Sequence, residues 1–195
     1  MMFEIYRPGR VKNAAHDALR DMMADFDPGK SYADMMRHRI SGKAANACHD
    51  VYYVAHEDGV ARSRLWMGWG RHADAIGNWG NFYTDEAFRS QGLGKALLDL
   101  WFEDLQHTAQ PPLCLLCTTG SAWVTKLYAR YGFRTVMKGQ ECGPLYKPVG
   151  DSPATFDAFC DTYYHPSDSL LWRVLTSPIA MRSIVFCALY SPRAA

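Results

Sequence analysis

The sequence predicts an α/β (α+β) fold, with helices flanking a mixed central sheet and a helical extension at the C-terminal end. Three observations lead there. Strand-like and helix-like segments are interleaved over the first 149 residues, the signature of a sheet with helices on its faces. Leu113-Cys114-Leu115-Leu116-Cys117 is an unbroken apolar run of strand length, the pattern of a strand covered on both faces. Between Asn81 and Leu98 a strand runs into a glycine-bearing loop and then directly into a helix.

The elements follow in order. Phe3 to Arg7 reads as a short strand, and a helix over Val11 to Phe26 is stopped by Asp27-Pro28-Gly29. Tyr32 to Arg39 reads as a second short helix. Val51-Tyr52-Tyr53-Val54-Ala55 is β-branched and aromatic, and Asp58-Gly59 joins it as a hairpin to an extended run from Val60 to Gly68. Residues 77–84 form a further strand with glycine irregularities. Ala96, Leu97, Leu100, Trp101 and Leu105 recur at helical spacing within a helix over 92–107. Ser121 to Tyr131 is a helix that Gly132 ends, and Phe133 to Met137 and Leu145 to Lys147 are the last strands. From Gly150 the character changes: residues 154–164 and 167–190 read as helical. The expected organisation is one domain over 1–149 and a helical extension over 150–195. Leu170, Leu171, Trp172, Val174 and Leu175 are too apolar for a solvated tail. The extension is expected to pack on the domain or on a second subunit of a homodimer.

Composition narrows the function. The 195 residues carry 21 Lys+Arg and 20 Asp+Glu, a formal net charge of +1, which lacks the basic footprint of a nucleic-acid or membrane-surface binder. No apolar run approaches the roughly 20 residues of a spanning helix, and MMFEIYRPGRVKN has no apolar signal core. The expectation is a reduced, cytoplasmic protein. Cys114 and Cys117 sit three apart on a strand, so their thiols point to opposite faces. The seven histidines show no metal-ligand spacing, so no metal is expected.

The most informative stretch is Arg89-Ser90-Gln91-Gly92-Leu93-Gly94-Lys95. Glycines let the backbone approach a ligand. Successive N–H groups at a helix start favour an anion, and Arg89 and Lys95 add positive charge. The chemistry is that of a phosphate group. Neither common phosphate loop fits: Arg89 stands where a Walker A loop has its first glycine and Ala96 where it has Ser or Thr, while Leu97 replaces the third glycine of a dinucleotide fingerprint.

The pattern R-x-x-G-x-G after a strand resembles motif A of the GNAT (GCN5-related) N-acetyltransferases. Leu127-Tyr128-Ala129-Arg130-Tyr131-Gly132-Phe133 resembles that family's motif B signature, L-Y-x-x-x-G-F, in the right order and spacing. The resemblance covers residues 3–149, the N-terminal third by element order only. It implies the acyl-CoA N-acyltransferase fold and transfer of acetyl from acetyl-CoA, the cosubstrate, to a primary amine attacking directly in a ternary complex. It implies that the backbones of Phe82, Tyr83 and Thr84 run along the pantetheine arm. Arg89 and the amides of Gln91, Gly92, Leu93, Gly94 and Lys95 would hold the pyrophosphate. Tyr128 would be the general acid for the departing thiolate.

Two positions depart from the family pattern. Ser121 stands where many members have Asn, and is expected to donate one hydrogen bond to the pantetheine or a water. Asp85-Glu86 replaces a frequent proline and reads as a solvated turn. The general base does not follow from a motif; His72 and Asp74, before the fourth strand, are the candidates. Trp66, Trp69 and Trp79, with Tyr52, Tyr53, Phe82 and Tyr83, read either as core or as an aromatic pocket for the acceptor. Lys126 and Arg130 read as a solvated helix face or as reaching the cofactor's 3′-phosphate. The acceptor is expected to be a small-molecule amine, its identity set by residues 26–45 and 138–145. The alternatives are a non-catalytic acyl-CoA-binding module, a protein-lysine acceptor, or an acyl group other than acetyl.

Overall fold

A computed structural model describes residues 1–9, 14–24, 33–72 and 75–163. Its strands are β1 (Met2–Tyr6), β2 (Cys48–Glu57), β3 (Val60–Gly70), β4 (Ile76–Thr84), β5 (Cys114–Thr119), β6 (Arg134–Thr135) and β7 (Gly143–Pro148). Its helices are α1 (Ala14–Ala24), α2 (Ala33–Ile40), α3 (Leu93–Gln106), α4 (Ala122–Ala129) and α5 (Phe156–Tyr163). The strands form one mixed seven-stranded sheet in the order β1-β2-β3-β4-β5-β7-β6. The chain divides into two compact units. Among the described residues, the first holds those within 1–71 and 80–109 and the second those within 72–79 and 110–163, so β4 belongs half to each.

In the first unit β1, β2 and β3 pair antiparallel. The β2–β3 hairpin turns at Asp58 (φ +50°) and Gly59 (φ +76°). Both lie in the left-handed region that a tight hairpin turn with the right twist requires. β2 is buried along nearly its whole length, because both of its faces are covered. On one face Tyr52 and Val54 join Tyr6, Leu19, Met23, Met36, Ile40, Ala61 and Trp66 in a core beneath α1 and α2. On the other, the hydroxyl of Tyr53 donates to Asp104 of α3 at 2.6 Å. The buried stripe of α3 is Leu93, Leu97, Leu98, Trp101 and Leu105. Ala96 and Leu100, expected in that stripe, are only half-buried at its margin. Each fully buried Leu or Trp removes enough apolar surface from water to stabilise the unit by roughly 1.5–3 kcal/mol.

In the second unit β4 and β5 run parallel, pairing Ile76 with Cys114, Gly77 with Leu115 and Asn78 with Leu116. A Cβ on Gly77 would lie 2.4 Å from a methyl of Leu115 and 2.9 Å from the ring of Pro112, so any larger residue would need these side chains to shift. β5 pairs antiparallel with β7 along its whole length. Cys114 packs with Leu116, Tyr146, Phe156, Phe159 and Cys160, whereas Cys117 lies beside Tyr128 and contributes to its electrostatic environment. Helix α5, the first part of the sequence after Gly150, thus seats its apolar stripe on the β5–β7 face. The expected helix over 167–190 lies outside the described residues.

Candidate functional site

The loop between β4 and α3 belongs to the first unit. Its backbone is bent twice into the left-handed region, at Ser90 (φ +62°) and at Gly92 (φ +81°). Gly92 is the N-cap of α3 and carries no side chain to cap the helix. The first intrahelical bond runs from the N–H of Ala96 to the carbonyl of Gly92, at 3.0 Å. The preceding amides at the start of α3 therefore have no intrahelical acceptor, and the helix dipole puts partial positive charge behind them. A Cβ on Gly94 would lie 3.0 Å from the ring of Phe82, so the absence of a side chain lets Phe82 pack closely against this turn.

The loop's cations are engaged locally. Arg89 donates from Nε to the carbonyl of Thr84 (3.1 Å) and pairs with Glu86 (3.2 Å). Lys95 pairs with Asp99 at 2.5 Å. These pairs lie in solvent and are worth little, so an arriving anion can recruit either cation. Gln91 donates to the carbonyl of Ala87 at 2.9 Å and ties the loop to the 3-10 turn before it. Asp85, read from sequence as a solvated turn, is held: its N–H donates to the carbonyl of Arg62 (2.8 Å) and its carboxylate faces Arg62 at 3.6 Å.

The strand leading into this loop is itself anchored from β3. The Ser63 hydroxyl lies 2.9 Å from the carbonyl of Tyr83 and 2.8 Å from the Thr84 hydroxyl. The carbonyl of Tyr83 accepts from Ser63 and that of Thr84 from Arg89. Asn81 has φ +52° inside β4, an irregularity that a Gly-Asn pair within a strand signals. Arg64 of β3 donates from Nη2 to Asn81 Oδ1 at 3.1 Å.

Tyr128 belongs to the second unit and is 7% exposed. Its ring meets that of Trp79 edge-on and lies near that of Phe133. Gly132 (φ +88°) ends α4, and the N–H of Phe133 returns to the carbonyl of Tyr128 at 3.3 Å. The glycine and phenylalanine of the L-Y-x-x-x-G-F run therefore fix the tyrosine by a C-terminal cap and a ring contact. Burial, with a smaller contribution from Cys117, pushes the phenol well above its ordinary value. Ser121 is the N-cap of α4, its hydroxyl accepting from the N–H of Val124 at 3.4 Å. That bond uses a lone pair and leaves the hydroxyl proton available for the predicted donation.

His72 is exposed, just before β4. Asp74 lies outside the described residues. Tyr52, Tyr53, Trp66, Trp69 and Trp79 are each less than 5% exposed and are core, while Tyr83 is 37% exposed. Among the described residues, no group of three His, Cys, Asp or Glu side chains converges as metal ligands. No described helix is long and apolar enough to cross a membrane.

Sequence reasoning passed over one buried ion pair. Arg39 of α2 donates from Nε to Asp50 at 2.7 Å, with side chains 1% and 2% exposed. The indole N–H of Trp66 donates to the same carboxylate oxygen at 2.9 Å, and the guanidinium lies over that indole ring, 5.1 Å from its centroid. A Cβ on Gly68 would fall within 3 Å of all three side chains. The signal available in sequence was an Asp in an otherwise apolar strand, which demands a buried partner.

Comparison with known proteins shows what the chain is similar to. Residues 48–135 match the sequence model of the acetyltransferase (GNAT) domain. They span β2 to β6 and include both the loop before α3 and Tyr128. This stretch is similar to the acetyltransferase domain of the GNAT family. Escherichia coli ElaA is similar in fold, with a TM-score of 0.50 at 14% identity, over 75% of this chain and 99% of that one. The PaiA N-acetyltransferase of Thermoplasma acidophilum in complex with coenzyme A matches with a TM-score of 0.46 at 12% identity, over 76% and 100%. A GNAT-family acetyltransferase of Staphylococcus aureus Mu50 matches at 0.47 and 11%, over 76% and 100%. No curated protein matches the chain.

Proposed function

We propose that this protein is an N-acetyltransferase that moves acetyl from acetyl-CoA to a primary amine of a small-molecule acceptor. The observation that carries the reading is Gly92: a left-handed glycine capping a helix whose first amides have no side-chain acceptor, within a GNAT domain. Such a turn suits the pyrophosphate of the cosubstrate. Gln91, Gly92, Leu93, Gly94 and Lys95 supply the amides, and Arg89 supplies charge. The backbones of Phe82, Tyr83 and Thr84 align the pantetheine arm, and Ser121 donates to it or to a bridging water.

The reaction is direct attack. As the amine nitrogen bonds to the thioester carbon, the C–S bond breaks and its electron pair leaves on sulfur. Tyr128, held protonated by its burial, hydrogen-bonds that sulfur and gives up its proton, which solvent then restores. The amine's proton goes to a base, for which His72 and Asp74 are the candidates. The products are an N-acetyl amide and free coenzyme A. The chemistry needs no group beyond those named.

The test is incubation with acetyl-CoA and a panel of polyamines, amino acids, aminoglycosides and peptides, with mass spectrometry of the acceptors. One acceptor gaining one acetyl group supports the reading and names the substrate class. A chain that binds CoA but acetylates nothing in the panel speaks for a non-catalytic acyl-CoA-binding module.

A further inference from the structure

Arg89 is turned back on the strand that precedes it. Its Nε donates to the carbonyl of Thr84 at 3.1 Å, its Nη1 donates to Glu86 at 3.2 Å, and its guanidinium lies 5.8 Å from the centroid of the Tyr83 ring. The direction of the Thr84 carbonyl follows from its neighbours. The N–H of Asp85 donates to the carbonyl of Arg62 at 2.8 Å, and the carbonyl of Tyr83 accepts from Ser63 at 2.9 Å. Residues 83 and 85 thus both turn backbone groups toward β3. Successive residues of an extended strand turn these groups to opposite sides. The carbonyl of Thr84 therefore points away from β3, to the side on which an extended ligand would pair, and Arg89 holds it there.

We infer that Arg89 and the pantetheine arm of acetyl-CoA compete for the Thr84 carbonyl, and that the phosphates of the same ligand decide the competition by drawing the guanidinium to themselves. This rests on the proposed function. The arm is an extended chain with secondary amides, and each amide offers the kind of N–H donor that Arg89 Nε supplies to this carbonyl. A guanidinium gains more from a phosphate than from a neutral carbonyl and a solvated carboxylate, because bidentate charge-assisted pairs are the strong ones. Arg89 lies in the same loop as Gly92, whose turn is assigned to the pyrophosphate. Glu86 opposes the transfer, since it holds the same guanidinium beside Thr84. Arg89 is thereby a specificity-determining residue. It favours a thioester that brings phosphates and disfavours the same arm presented without them, so part of the selectivity comes from a contact that the wrong ligand fails to displace. Only hydrogen bonds and ion pairs are exchanged; no covalent bond changes.

The test measures two probes by titration calorimetry on the full chain: CoA, and pantetheine, which has the same arm without the phosphates and nucleotide. The variants are Arg89→Ala and Glu86→Ala. Both side chains are more than half exposed, 53% and 81%, so neither change endangers the fold. Arg89→Ala is expected to move the probes in opposite directions. CoA weakens about threefold, while pantetheine tightens about two- to fivefold, the scale of an exposed charged contact removed. Glu86→Ala, which loosens the guanidinium, is expected to tighten pantetheine about twofold and to bind CoA no more weakly than the wild type. Three results overturn the competition and leave the cosubstrate reading intact: weaker binding of both probes in Arg89→Ala, pantetheine affinity unchanged in both variants, or pantetheine binding undetectable in every protein. A wild type that does not bind CoA overturns the cosubstrate reading itself, and the inference with it.

Discussion

The indole of Trp79 meets the ring of Tyr128 edge-on, centroids 4.4 Å apart and planes at 90°. This contact and the nearby ring of Phe133, 5.0 Å from Trp79, hold the tyrosine from the strand side and from the end of its own helix. Tyr128→Phe keeps the ring that makes these contacts, so the scaffold should stand. Tyr128→Phe is expected to keep the wild-type melting temperature within a few degrees and lower kcat by about a hundredfold, the scale of a lost acid. Wild-type turnover by this variant would remove Tyr128 from the mechanism. Trp79→Ala, by contrast, should destabilise by ~3–5 kcal/mol in urea unfolding.

A second expectation concerns the pH profile. Burial raises the Tyr128 phenol, so it is fully protonated across the neutral range. The activity lost in Tyr128→Phe should therefore be a constant factor from pH 6 to 9, and the wild-type profile should show no alkaline limb from this group below its ordinary value of about 10. A limb near pH 8 that disappears in the variant would contradict the buried environment.

Alkaline stability follows from the same kind of shift elsewhere. Tyr6, whose hydroxyl donates to the carbonyl of Ile40 at 2.7 Å, is pushed up to about 12 by burial. Cys160 is also pushed up to about 12, by burial and by its acidic neighbours Asp157 and Asp161. Both groups favour the folded state fully below their unfolded values. Above those values the unfolded chain loses protons that the folded chain keeps, so stability falls with rising pH and this contribution is gone once pH passes about 12. Urea midpoints should decline steadily between roughly pH 9 and 12. Tyr6→Phe should flatten part of that decline, and an unchanged slope in that variant would exclude Tyr6 as a source.

The Arg39–Asp50 pair makes a test of the first unit. Asp50→Ala leaves a guanidinium buried without its counter-charge and should cost about 3–5 kcal/mol. Replacing both residues together, with Arg39→Met and Asp50→Leu, should recover most of that loss or exceed wild-type stability. Equal destabilisation by the single and the double change would mean that the pair's charges are not what the site depends on.

At the phosphate-binding turn, Gly92→Ala forces a side chain into a left-handed conformation at a cost of about 1–2 kcal/mol. With nothing within 4 Å of the added Cβ, the penalty is backbone strain alone. Re-aiming the first amides of α3 should weaken CoA binding about tenfold, readable by calorimetry. Arg89→Ala should weaken it less, because Arg89 is about half exposed and already shared with Thr84 and Glu86.

Much of this is legible in the sequence. The apolar run Leu113–Cys117 gave away a strand covered on both faces, and Asp58-Gly59 its hairpin, because those features are local and periodic. The turn at Gly92 was legible because only glycine tolerates its backbone. The positions that escaped notice depend on distant partners. Nothing near Asn81 in sequence announces Arg64, and nothing near Asp50 announces Arg39 eleven residues earlier. Leu97, Trp101 and Leu105 of α3 are buried as the spacing predicts, but Leu93 and Leu98 flank them in place of Ala96 and Leu100, because the pattern alone does not fix which flank of the helix meets β2 and β3. The acceptor was not legible either, since no motif marks residues 26–45 or 138–145.

The most direct test of the central claim is thiol release from acetyl-CoA, followed with a thiol-reactive dye in the presence and absence of an amine acceptor found in the panel. The expected result is release that depends on the amine, matches the acetylated product mole for mole, and drops about a hundredfold in Tyr128→Phe. Thiol release that is the same with and without amine, or undiminished in the Tyr128 variant, would contradict direct transfer through this site.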